Sequence, residues 1–269
     1  MLSIAYDKIY AHPLPEGHRF PMLKYELIPQ QLLYEGIVTK DQFFSPEPLK
    51  NEDILSVHDA DYLKDLEGLT LSEKAIRKIG FPLSEQLVLR EKIICKGSVD
   101  CAVNALKYGA SMNIAGGTHH AYRDRGEGFC LLNDFAIAAQ YLLNNSLAGK
   151  ILICDLDVHQ GNGTAKIFEN ESRVFTFSMH GKENYPLHKE KSDWDIELET
   201  FTNDEVYLNL LKEYLPGILE DFRPDIVFYL SGVDILETDK LGKLKVSKWA
   251  CGERDRFVAE QCFKRGIPI

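Results

Sequence analysis

Three places in the chain gather side chains able to bind a metal or move a proton, and each follows an apolar run. The first is I-L-I-C-D-L-D-V-H, Ile151 to His159, where four apolar residues lead into two carboxylates and an imidazole. Side chains alternate along an extended strand, so Asp155, Asp157 and His159 share one face while Leu156 and Val158 point away. The apolar lead-in reads as a strand buried on both faces, and open parallel sheets bind their ligands at the carboxyl ends of such strands. Gly161 and Gly163 in the following H-Q-G-N-G let the backbone turn and approach whatever sits there. A lone D-x-D at a strand end is read more simply as a helix cap or turn. Adding His159 after an unbroken apolar run shifts the reading to a metal or catalytic site.

The second place is M-N-I-A-G-G-T-H-H, which delivers His119 and His120 side by side. Adjacent residues on a strand point to opposite faces, so both imidazoles can serve one cavity only from a loop, and Gly116-Gly117 supply it. The third is D-I-V-F-Y-L-S-G-V-D, a buried strand over Ile226–Leu230 followed by a turn glycine and Asp234. Catalytic zinc takes three protein ligands of N or O type and keeps one position open. Asp157, His159 and Asp234 supply that set. Asp155 is left to orient a histidine, most simply His119, and His120 is free to move a proton. Other candidates are weaker. In V-H-D-A-D-Y-L, His58, Asp59 and Asp61 are explained by helix capping. His12, His18 and Arg19 lie in a proline-punctuated loop and read as solvated. Phe129, beside Gly128, suggests an aromatic held where a ligand passes.

The elements that position these residues follow from periodicity. Leu2–Tyr6 is predicted as an edge strand, and Pro21–Tyr34 as a helix with Leu23, Leu27, Leu33 and Tyr34 near helical spacing, ended by Gly36. A long helix spans Ser84–Tyr108, its stripe of Leu87, Ile94, Cys101, Ala105 and Leu106 packing on a sheet. Further helices are expected over Asp134–Asn144, capped by Asn133 or Asp134, over Thr164–Phe168, Asp204–Glu220 and Lys248–Arg265, with another strand over Val174–Met179. This alternation predicts an α/β fold: an open, mainly parallel sheet with helices on both faces, in three layers. No repeat or linker interrupts it, so residues 1–269 read as one domain. After Gly266, I-P-I starts what should be another strand, yet strands usually have about five or six residues. A C-terminal segment is therefore expected to be lacking, leaving a sheet edge that favours self-association.

Composition narrows the function. With 45% hydrophobic residues in 269, the chain can bury a large core. A net charge of −10 argues against a nucleic-acid backbone as partner and suits a neutral or cationic substrate. The six cysteines form no C-x-x-C pair and read as buried thiols, consistent with a reducing cytoplasm. No apolar run is long enough to cross a membrane and the start shows no secretory pattern, so a soluble cytoplasmic protein is expected.

G-G-T-H-H, G-F-C-L-L-N-D, D-L-D-V-H-Q-G-N-G and S-G-V-D, in this order, resemble the zinc-dependent histone deacetylase family from about residue 10 to the end. H-Q-G-N-G and S-M-H-G-K-E-N-Y-P-L-H-K-E-K-S-D look most like its small bacterial and class IV-type members. The resemblance implies an arginase/deacetylase fold, one Zn2+ on Asp157, His159 and Asp234, and hydrolysis of an acylated lysine or a similar N-acyl amine. It implies a structural K+ on Asp155, the Asp157 and His159 backbone, Ser178 and Met179. By the same resemblance His120 is general base and then acid, His119 paired with Asp155 assists electrostatically, and Gly128, Phe129 and Tyr185 line a tunnel for the lysine stem. Two departures stand out. Asn162 replaces an aspartate that many members place behind the second histidine; it can accept a hydrogen bond from His120 but cannot neutralise an imidazolium. The family's G-G-G-Y segment, whose tyrosine donates to the oxyanion, is absent from these 269 residues, and loss of one such donor costs about 2.7–4 kcal/mol. Two alternatives compete with this reading. A manganese ureohydrolase would need D-A-H-x-D and D-x-D-x-x-D patterns, but Ile235-Leu236-Glu237 follows Asp234. A non-catalytic protein binding acyl-lysine or a partner would fit the missing tyrosine.

Overall fold

Short strands that pair only in parallel, each delivered by a helical or looped crossover, set the architecture. A computed structural model describes residues 2–269, which group into two compact units meeting in sequence at Leu147 and Ala148. The first unit contains β1 (Ser3–Ala5), α1 (Lys24–Tyr34), β2 (Phe43–Phe44), α2 (Asn51–Ile54), α3 (Ala60–Glu67), α4 (Glu73–Ile79), α5 (Glu85–Tyr108), β3 (Ser111–Asn113) and α6 (Asp134–Asn144). Its sheet has the order β2-β1-β3. β1 is therefore central rather than the predicted edge strand: it pairs on one side with β2 and on the other with β3, and Ile4 and Ala5 are fully buried.

The long helix α5 starts where Ser84 accepts a hydrogen bond from Leu87 N and stops at Gly109, whose φ is +93°. Its predicted stripe faces inward, with Leu87, Ile94, Cys101 and Ala105 buried, and it packs against α6, β1 and β3. α1 turns the other way. Tyr25 and Pro29 form its buried face, continued by Met22 just before the helix, while Leu23 at its N-cap, Leu27 and Tyr34 are exposed, contrary to the predicted stripe. Both sets have helical spacing, and an 11-residue helix with apolar residues around most of its girth offers no single solution to periodicity. His12, expected to be solvated, is buried.

The second unit contains β4 (Ile151–Asp155), α7 (Asn162–Phe168), β5 (Val174–Gly181), β6 (Trp194–Leu198), α8 (Asp204–Phe222), β7 (Ile226–Leu230) and α9 (Lys248–Lys264). Its all-parallel sheet runs β6-β5-β4-β7. Leu152, Cys154, Leu156 and Val158 enter one core with Tyr207, Leu211 and Leu215 of α8 and Ala250, Val258 and Cys262 of α9. The predicted alternation thus continues past the last paired residue of β4. After α9 the chain turns back along β7, where Val227 N donates to Pro268 O at 2.9 Å. All six cysteines are free and buried. Among the described residues no helix is long and apolar enough to cross a membrane.

Leu152 is wholly buried between β5 and β7, whereas Leu27 is 52% exposed. Leu152→Ala should cost about 2–5 kcal/mol of unfolding free energy, and Leu27→Ala about 0.5 kcal/mol or less. Urea unfolding of the two variants checks this; equal losses would contradict the packing described.

Candidate metal centre and histidine loop

Register brings two loops together in the second unit. Asp155, the last residue of β4, pairs with Leu230 of β7 on one side and Ser178 of β5 on the other, and Leu156 N extends the pairing to Leu230 O at 3.1 Å. The chains leaving β4 and β7 therefore start as neighbours. Asp157, His159 and Asp234 each bring one ligand atom to within 4.8 Å of the others. His159 Nδ1 lies 2.9 Å from Asp157 Oδ1 and 3.1 Å from Asp234 Oδ2. Successive backbone amides fix the carboxylates: Asp157 N donates to Asp155 Oδ1 (3.2 Å), Val158 N to Asp234 Oδ1 (3.0 Å) and His159 N to Asp157 Oδ1 (2.8 Å).

Glycines permit this closeness. A Cβ on Gly232 would fall 2.5 Å from Asp157 Oδ2 and 2.7 Å from its Cα, and one on Gly242 would fall 1.9 Å from Asp234 O. Gly232 reads in the sequence as a turn residue; the stronger constraint is the backbone of Asp157 lying against it. Burial first, and then the charge of Asp157, raise the Asp234 carboxyl to about 6. Burial alone would depress His159, but hydrogen bonds to Asp157 and Asp234 carry it up to about 10. Both shifts have one origin: two partly buried carboxylates need a positive charge, and the imidazole proton supplies one. A divalent cation would supply two, and one nitrogen with two carboxylate oxygens is a donor set zinc accepts with a position left open.

In the first unit, Gly116 and Gly117 adopt φ of +116° and +69° ahead of the histidine pair. Both imidazoles are buried, with ring centroids 4.1 Å apart. Asp134, at the start of α6, ties this loop down: its Oδ1 accepts from Thr118 N (2.8 Å) and Thr118 Oγ1 (2.7 Å), and its Oδ2 accepts from Ser98 Oγ. Of the two possible caps, Asn133 is the one used. Its side chain accepts from Ala136 N and donates to Ala121 O, while its backbone N donates to His58 Nε2. His58 is thus a buried support for this loop; among the described residues only Asp157, His159 and Asp234 converge as a possible metal-ligand group.

Gly128 lies against His120, since a Cβ there would meet the imidazole Cδ2 at 2.6 Å. Phe129 follows at φ +67°, its N donating to Ile79 O and its ring packing 5.2 Å from both Phe20 and Phe81. His18, expected in solvent, stacks on Phe81 and donates from Nε2 to Gly80 O at 2.8 Å, and the Arg19 guanidinium lies 5.2 Å from the Phe129 ring. These partners lie far from Phe129 in sequence and periodicity does not point to them, although the Phe-Pro pairs at 20–21 and 81–82 mark stiff aromatic corners. In the second unit Asn162 is the buried first residue of α7, Ser178 Oγ lies 2.9 Å from His180 Nδ1, and Tyr185 is exposed between buried Asn184 and Pro186. Lys189 Nζ donates to the carbonyls of both of these neighbours at 2.6 Å.

The chain matches the histone deacetylase domain family over residues 18–269. It is 42% identical to an uncharacterized protein of Picosynechococcus sp. (strain ATCC 27264 / PCC 7002 / PR-6), over 99% of this chain and 89% of that protein. It is 28% identical to histone deacetylase 2 of Arabidopsis thaliana, covering 94% and 67%, and 27% identical to acetoin utilization protein AcuC of Staphylococcus aureus, covering 94% and 70%. Its fold is that of a crystallised HDAC homolog complexed with SAHA, with a TM-score of 0.83 at 22% identity over 97% of this chain and 76% of that chain. The fold is the α/β arrangement of the arginase/deacetylase type. The chain belongs to the histone deacetylase family, a family of hydrolases.

Gly232→Ala should push Asp157 from its place and weaken Zn2+ binding roughly tenfold or more, an effect of about 1.4 kcal/mol. Competition with a chromophoric chelator measures this, and an unchanged affinity would contradict the close approach. Burial lowers the His58 pKa from 6.5 to about 4. The folded state holds it neutral while the unfolded chain protonates near 6.5, so its stabilising contribution is complete above that pH. It is lost as pH falls toward 4, by about 3 kcal/mol. Urea unfolding between pH 7 and 4 should show this acid slope, reduced in His58→Gln; identical slopes would place the titrating group elsewhere.

Proposed function

We propose that this chain is a zinc-dependent deacylase that hydrolyses the amide of an N-acyl-lysine or a similar N-acyl amine. The observation carrying the reading is the convergence of Asp157, His159 and Asp234 at the ends of β4 and β7 in a member of the histone deacetylase family. Zinc held by these three residues would supply a Lewis acid that polarises the amide carbonyl and acidifies a water. His120 takes the proton from the attacking water and returns it to the leaving amine. His119 supports the developing charge, with Asp155 and Asn162 assigned as orienting groups. Gly128 and Phe129 together with Tyr185 are assigned to the lysine stem, an apolar chain that suits aromatic and backbone surface. K+ is assigned to Asp155, Ser178 and the neighbouring backbone, as a structural ion. The substrate is thus an acylated lysine of a protein or a small acylated amine, and nucleic acid and membrane have no part in its recognition.

Turnover of an Nε-acetyl-lysine peptide tests it. Zinc-reconstituted protein should release lysine, metal-stripped protein should not, and His120→Ala should lose on the order of 10²-fold or more, well beyond His119→Ala. Equal turnover with and without metal, or equal losses in the two histidine variants with an unchanged pH profile, would contradict the assignment.

A further inference from the structure

Arg254 of α9 is fully buried, although an isolated charge in such a place costs several kcal/mol. Its contacts are distributed over the two loops that carry the metal ligands. Nη1 donates to Leu156 O at 3.1 Å and to Gly232 O at 2.6 Å; Nη2 donates to Ser231 Oγ at 3.1 Å; Nε donates to Asp255 Oδ1 at 2.9 Å. Leu156 immediately precedes Asp157, and Gly232 stands two residues before Asp234. Asp255 holds the guanidinium from the other side while also accepting from Tyr229 Oη and Ser231 Oγ.

We propose that Arg254 is a positioning residue for the metal centre, fixing the separation of Asp157 and Asp234 by clamping the carbonyls that precede them in their two loops. The proposal rests on the reading that Asp157, His159 and Asp234 hold a divalent ion. Pairing between β4 and β7 ends at Asp155 and Leu230, with one further hydrogen bond from Leu156 N to Leu230 O. Beyond that point the ladder no longer spaces the two chains, and a planar fork with donors at fixed angles is suited to replace it. A lysine carries the same charge but concentrates its donors on one atom. It cannot hold both carbonyls, Ser231 Oγ and Asp255 in one plane. Gly232 belongs to the same device: its lack of a side chain lets the clamped carbonyl segment lie on Asp157.

The test compares wild type, Arg254→Lys, Asp255→Asn and Asp157→Ala as full chains, each measured for Zn2+ affinity by chelator competition, for the visible spectrum of its Co2+ form, and for unfolding of the metal-free state. Arg254→Lys is expected to weaken Zn2+ at least tenfold and to alter the Co2+ band shape. Asp255→Asn, at a partly exposed side chain, should weaken Zn2+ several-fold with the metal-free fold retained. A role confined to stability would lower only the unfolding midpoint, and wild-type affinity and spectrum in Arg254→Lys would overturn the proposal. If Arg254→Lys does not fold, Asp255→Asn decides, and unchanged affinity there overturns it. Asp157→Ala separates the two claims: if it binds Zn2+ as wild type does, the metal-centre reading itself fails.

Discussion

The constraint on which the second unit depends is electrostatic: Asp157 and Asp234, both only partly exposed, are brought together around one imidazole. Two carboxylates in such a place repel, and the folded chain must compensate with hydrogen-bond donors and positive charge. Backbone amides supply the donors, Val158 N to Asp234 and His159 N to Asp157, while Asp157 N donates to Asp155. The two carboxylates raise the His159 pKa, and a divalent ion would meet their need for positive charge more fully than a proton. Helix α9, buried through Arg254, connects this compensation to the hydrophobic core that holds β4 and β7 in register.

The first unit uses a comparable device without acidic ligands. A strand leads to a pair of glycines, and a buried carboxylate at the start of α6 pins the loop so that His119 and His120 have one arrangement rather than many. Gly128 against His120, and Phe129 in its cluster with Phe20 and Phe81, extend that surface. In both units glycine serves approach as well as turning: a side chain at 128 would collide with His120, one at 232 with Asp157 and one at 242 with the backbone of Asp234.

Much of this was legible from residue order. The alternation through Leu156 and Val158, the glycine loop before the histidines and the long amphipathic stripe of α5 are one-dimensional signals, since local geometry maps spacing directly onto faces. Other features depend on partners distant in sequence. The place of β1 between β2 and β3 is set by pairing with residues some 40 and 108 positions away, so a strand of three residues could not reveal it. His12 and His18 looked solvated because the loop that holds them is polar and proline-rich, but tertiary neighbours bury the first and stack on the second. Arg254 sits in an ordinary run of charges, E-R-D-R, and only the fold distinguishes it from Arg256, whose side chain is mostly exposed.

The most direct test of the account is a diffraction experiment on zinc-loaded protein with data collected on both sides of the zinc absorption edge. The account predicts one strong anomalous peak per chain, bonded to an oxygen of Asp157, to Nδ1 of His159 and to an oxygen of Asp234, at about 2.0–2.2 Å. A fully loaded crystal with its zinc on other residues, and these three side chains in their hydrogen-bonded arrangement, would contradict it.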